Sequence, residues 1–207
     1  HKTAVVAGAG DAAERTQLAI DSINEARTSS GSNALNKATN AVLIMKGVIK
    51  EQVLETGEYE VDQAYRETYI EALELLLGNP QWLADDPMLG EYYFELGWQQ
   101  SRIARRQDDP AEEEAFYRKA IEAYEKEPET LGAKDNMFPH LEARYKAAEL
   151  RLYLLLRDDA LLHSDEGVKL ATELRSLLQD YSNDAIRGLP MVPESKKASV
   201  AEWGSVA

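Results

Sequence analysis

The stretch TAVVAGAGDAAER, residues 3–15, holds the residue types of a phosphate site: a short apolar run, then Gly8-x-Gly10-x-x-Ala13, then a helix opening. In a dinucleotide-binding unit such glycines let the backbone approach a pyrophosphate at a helix N-terminus. That unit also needs a second strand ending in Asp or Glu about 20 residues later, to hold the ribose hydroxyls. Here residues 28–33 read TSSGSN, and the nearest acids, Asp21 and Glu25, fall inside the first helical pattern. The stretch therefore reads as a terminus rich in small residues. Other chemistry is equally sparse. The three histidines are His1, His140 and His163, and none follows a Glu by three residues, as the paired ligands of a di-iron bundle do. There is no His-Glu-x-x-His or Gly-x-Ser-x-Gly motif and no phosphate-loop lysine. Glu112, Glu113 and Glu114 stand at a helix start, where negative charge suits the helix dipole, so they read as neither a catalytic acid pair nor a calcium site. The reading is of a non-enzyme with no catalytic residue, no metal ligand and no cofactor; an active site would have to be assembled from distant residues.

Composition narrows the partners. The 207 residues carry 37 acids and 23 bases, a formal charge of −14. Residues 1–57 hold six of each sign, so the whole excess lies in 58–207. Such a surface disfavours nucleic-acid backbones and anionic membranes, and suits a basic partner. The absence of cysteine excludes disulfides and thiolate metal sites. No stretch approaches the roughly 20 apolar residues of a membrane span. The expectation is a soluble protein, cytoplasmic or periplasmic. His1 in place of Met leaves the chain start open, and Ala7-Gly8-Ala9 is compatible with the end of a signal peptide.

The elements that would position any site are helices throughout, and no window shows sustained period-2 alternation. Asp11 with Glu14 forms a capping box, followed by Leu18, Ile23 and Ala26 at helical spacing. A second helix is expected over 34–56, with the stripe Leu35, Ala38, Val42, Met45, Ile49 and Val53, and with Gly57 as a left-handed cap. A third covers about 59–77, stopped by Gly78 and Pro80, and a fourth runs from Pro87 to about Arg106. The fifth opens on Asp109-Pro110 with Glu112 completing a capping box, and ends before Pro128. The sixth spans about 139–157 and the seventh runs from Ser164 or Asp165 to about Tyr181. Residues 1–10 read as a flexible terminus, 11–181 as a single all-helical domain and 182–207 as an irregular tail. Within the domain, 11–57 is neutral and aromatic-free, while 58–181 is acidic. The segment AVLIMKGVI, 41–49, is apolar on more than one face, which implies burial between neighbouring helices or a homodimer formed through residues 11–57.

The fourth and fifth helices carry a family resemblance. Tyr93-x-x-Leu96-Gly97 resembles the Trp-x-x-Leu-Gly opening of a tetratricopeptide repeat, whose glycine lets the paired helix come close. AFYRKAIEAYEKEP, 115–128, resembles that repeat's second helix, with Tyr117 and Ala120 as its large and small packing residues. Gln100 stands where the family has a tyrosine, the turn between the helices is longer, and Pro128 falls late. The best match covers 88–128, with a weaker one over 139–181. The resemblance implies an all-α fold of about seven helices in antiparallel hairpins, a right-handed α-solenoid; the alternative is an irregular helical bundle. It also implies a groove, lined by the fourth and sixth helices, that binds a protein or peptide and toward which Glu91, Phe94, Trp98, Ser101 and Arg102 project. Eleven of the sixteen aromatics fall between Tyr59 and Tyr124, which serves core packing or apolar anchors in that groove. The function expected is a scaffold or adaptor binding a protein or peptide; the alternative is a helical small-molecule-binding or transport accessory protein with an aromatic-lined pocket.

Overall fold

The computed structural model describes residues 11–83, 86–127 and 137–188, together with Glu194, Lys197 and Ala198. The fold is all-α. Its helices are α1 Ala12–Thr28, α2 Gly31–Thr56, α3 Gln63–Leu77, α4 Leu89–Ala104, α5 Pro110–Lys126, α6 Met137–Arg157, α7 Asp159–Leu162 and α8 Asp165–Gly188, with a 3₁₀ turn at Pro80–Trp82. They form two compact units, 1–84 and 85–207. The sequence pattern divides the chain at 57/58; the structure instead groups α3 with α1 and α2, because its apolar face packs on both. No helix among the described residues is long and apolar enough to cross a membrane. Gly8 and Gly10 lie outside the described residues, whereas Ala13 sits in the first turn of α1.

In the first unit, Asp11 caps α1 by accepting from the Glu14 amide at 2.9 Å. The core faces of the three helices meet through Ala19 and Ile23, through Val42, Met45 and Ile49, and through Tyr69, Leu73 and Leu76. Leu18, read as part of the apolar stripe, is 54% exposed; Ala19 points inward instead. The 41–49 segment is buried on more than one face because α2 packs against both α1 and α3. That packing occupies its apolar width within one chain, leaving Leu43 at the surface. Between α1 and α2 the Arg15 guanidinium grips both carboxylate oxygens of Glu51, and this hydrogen bonding holds the Glu51 carboxyl below its ordinary range.

Two boundaries of α2 differ from the sequence reading. The helix begins at Gly31, in the segment read as a loop, and Gly31 takes a φ of +60° that glycine tolerates best. Gly57 does end the helix, donating its amide to the Val53 carbonyl at 3.0 Å. Its φ of +93° is accompanied by a ψ of 158°, so the chain leaves extended and not through a left-handed cap. The segment that follows is clamped from α3. Arg66 is wholly buried, and its guanidinium donates to the Glu58 backbone carbonyl and, at 2.9 Å, to the Glu58 carboxylate.

In the second unit α4 and α5 form a hairpin. Asp86 accepts from the Met88 amide at 2.8 Å and thereby delays α4 to Leu89, and Asp109 accepts from the Ala111 amide at 2.9 Å. The hairpin is tight at Gly97. A Cβ there would lie 2.8 Å from a ring carbon of Tyr124 and 3.0 Å from the Ala120 carbonyl oxygen, so the absence of a side chain is what lets α5 approach. Tyr117, Ala120, Ile121 and Tyr124 of α5 then form one core with Ala143, Ala147 and Leu150 of α6. α6 carries α8 on another part of its surface, joined by the Tyr145–Tyr181 ring contact at 5.7 Å and by the Arg144–Asp184 ion pair. Those two contacts extend α8 seven residues past Tyr181, into the segment read as an irregular tail. Pro128, Pro190 and Pro193 lie outside the described residues.

Candidate functional site

The five residues singled out on α4 are brought together in part. Phe94, Trp98 and Arg102 form a row at one-turn spacing: the Phe94 and Trp98 rings stack with centroids 6.2 Å apart, and the Arg102 guanidinium lies 4.1 Å from the Trp98 centroid. The row is anchored inward, because Phe94 also meets Tyr124 at 5.6 Å and packs on the core. Ser101 is turned away from solvent and donates its hydroxyl to the Trp98 carbonyl at 2.8 Å. Glu91 sits half-buried in the first turn of α4. Phe94, Trp98 and Arg102 thus share one face, Ser101 belongs to the helix packing, and the aromatic surfaces of the row are largely spent on one another.

A concave site lies elsewhere in the same unit. α5 and α8 both pack on α6 and leave a cleft between them, of about 560 Å³, closed at one end by α7. Ile121 from α5, Leu154 and Leu155 from α6, Leu161 from α7, and Leu170, Leu174 and Leu177 from α8 make its apolar lining. α5 and α8 contribute residues at intervals of about one turn, the pattern by which a helix builds a continuous stripe. The rim is charged. Glu114 and Arg118 pair along α5 at 2.6 Å, and Arg151 of α6 reaches Glu125 of α5. Glu122, Asp158 and Glu173 complete it; Asp158 caps α7 by accepting from the Leu161 amide at 2.8 Å, and Glu173 lies a loose 3.9 Å from Lys169. The sequence reading set its groove on the fourth and sixth helices and placed no site between the fifth helix and α8. The available signal was the surplus of leucine in α8, where Leu170, Leu174, Leu177 and Leu178 exceed what one neighbouring helix covers.

Four tyrosines of this unit report burial. Burial pushes the Tyr92 phenol up to about 12, with Asp86 and Glu91 adding to it, and raises the phenols of Tyr117, Tyr124 and Tyr181 as well. A phenol whose folded pKa is raised stabilises the fold fully below the unfolded value near 10, and that contribution is lost as pH rises through the folded value. Melting temperature is therefore expected to hold up to about pH 10 and to fall above it. Circular dichroism melts across that range check this, and a flat profile would contradict the burial of these hydroxyls.

Among the described residues no group of three His, Asp or Glu is placed to hold a metal ion, and the His163 ring contacts the Asp159 carbonyl of its own short helix. The His140 side chain lies outside the described residues. No protein-family model matches the chain, and no curated protein or solved structure matches it at a significant level.

Proposed function

We propose that this chain is a non-enzymatic helical scaffold whose second unit binds a segment of a partner protein in the cleft between α5 and α8. The observation that carries the reading is the cleft itself: an apolar lining supplied by four helices, surrounded by a charged rim. Recognition would follow the helix-in-groove mode, in which aliphatic anchors enter the groove and rim charges set register and partner choice. The approach of α5 at Gly97, with Tyr124 and Ala120 against it, supports the resemblance of this hairpin to a tetratricopeptide repeat.

Selection of a displayed peptide library on the purified protein, with counter-selection on Leu170→Asp, tests this reading. Peptides are expected that bind wild type and lose at least about tenfold in affinity on the folded variant, the scale for placing a charge against an apolar anchor. A library yielding no binder, or binders indifferent to the substitution, would overturn it. The cleft volume also falls in the range of about 300–1,000 Å³ typical of small-molecule sites. Melting temperature raised by a small apolar compound, with no peptide selected, would favour that alternative.

A further inference from the structure

We propose that the occupant of this cleft is an amphipathic helix of about three turns, its aliphatic stripe flanked by lysine or arginine. The inference rests on the reading of the cleft as a docking surface and adds the chemistry of what docks. Length comes from the α5 wall: Glu114 to Glu125 is twelve residues, and the rises between them add up to about 16 Å. Orientation comes from the lining: the apolar floor takes the apolar face of the partner, and its polar face stays toward the charged rim. The lining is aliphatic, with Ile121 and six leucines, and so matches leucine-sized anchors at helical spacing.

The sign of the flanking charge follows from the rim. Five carboxylates and two guanidinium groups stand there, and both arginines are already held by rim glutamates, Arg118 by Glu114 and Arg151 by Glu125. What faces an incoming partner is Glu122, Asp158 and Glu173. Glu122 has no ion-pair partner among the described residues, Asp158 caps α7 through its side chain without an ion pair among those described, and the Lys169 contact of Glu173 is long and exposed. Because these three come from α5, from the end of α6 and from α8, they border the cleft on both long sides. An acidic or phosphorylated segment would meet three like charges, whereas a basic one gains attraction on either flank.

The test uses three synthetic helical peptides with the full-length chain, read by fluorescence anisotropy. One carries a leucine stripe with lysine flanks, one the same stripe with glutamate flanks, and one lysine flanks with alanine replacing leucine. The leucine–lysine peptide is expected to bind best and to weaken about tenfold on Glu122→Lys/Glu173→Lys, since two attractions become repulsions. Glu60→Lys/Glu67→Lys in the first unit changes net charge equally and should leave binding within about twofold; circular dichroism confirms that both variants fold. Equal or tighter binding of the glutamate-flanked peptide overturns the basic preference and leaves the docking cleft standing. Equal binding of the alanine peptide, or equal loss on the control variant, reduces the effect to general attraction by an acidic protein and overturns both. No binding of either leucine peptide overturns this proposal, with the library selection then deciding the docking reading separately.

Discussion

Replacing Gly167 with alanine is expected to destabilise the second unit by about 3 kcal/mol or more, and to abolish binding in the cleft. Gly167 lies in the first turn of α8, and a Cβ added there would stand 1.9 Å from the Leu161 backbone oxygen and 2.7 Å from its carbonyl carbon. No rotamer change relieves a clash with backbone, so α7 must move. The Leu161 oxygen is also the acceptor for the Ser164 amide at 3.0 Å and the Ser164 hydroxyl at 2.7 Å, while that hydroxyl accepts from the Gly167 amide at 3.0 Å. Displacing Leu161 therefore breaks the turn that joins α7 to α8 and shifts two walls of the cleft together. Gly97→Ala is the milder comparison, at about 1–3 kcal/mol, because one of its obstacles is a ring that can shift. Chemical denaturation of both variants checks the order, and a Gly167→Ala protein as stable as wild type would contradict the α7–α8 packing.

Arg66→Met is expected to remove about 3 kcal/mol of stability from the first unit, the lower end of what breaking a buried pair costs. Arg66 is wholly buried on α3, whereas Glu58 is 24% exposed and recovers some hydration when its partner is lost. Methionine preserves much of the apolar stem, so the loss reports the polar contacts of the guanidinium, those to Glu58 that hold the segment between α2 and α3 among them. Lysine is a poor replacement, since its single ammonium lacks the fork that spans carbonyl and carboxylate. A double-mutant cycle with Glu58→Gln measures how much of the loss belongs to the Arg66–Glu58 pair. A loss below about 1 kcal/mol for the single variant would show that the clamp is energetically idle.

Local signals were legible wherever the local chemistry is decisive. Asp11 and Asp109 cap their helices, Gly57 and Gly78 end theirs, and Tyr117 and Ala120 are buried in the core shared with α6, as the repeat resemblance implies. Signals failed where a distant partner overrides local preference. Residues 182–207 read as an irregular tail, yet α8 continues to Gly188 because Tyr181 is buried beside Tyr145 and Asp184 meets Arg144, both on α6. α7 has four residues, too few to show any period, and rests on the Asp158 cap. The cleft was hidden for a related reason. Its lining comes from four helices, and each helix alone shows an ordinary apolar stripe; only the packing of α5 and α8 on α6 reveals that part of each stripe is left uncovered. The α4 row was legible as a row, whereas the inward turn of Ser101 depends on how closely α5 approaches at Gly97.

The most direct test of the docking cleft is a methyl-resolved NMR titration of the intact chain with a library-selected peptide. Shift changes are expected at the methyls of Ile121, Leu154, Leu170 and Leu177, with the Trp98 indole and the Met45 methyl of the first unit unmoved. Changes centred on Phe94 and Trp98, or on the first unit, with the cleft methyls silent, would contradict it.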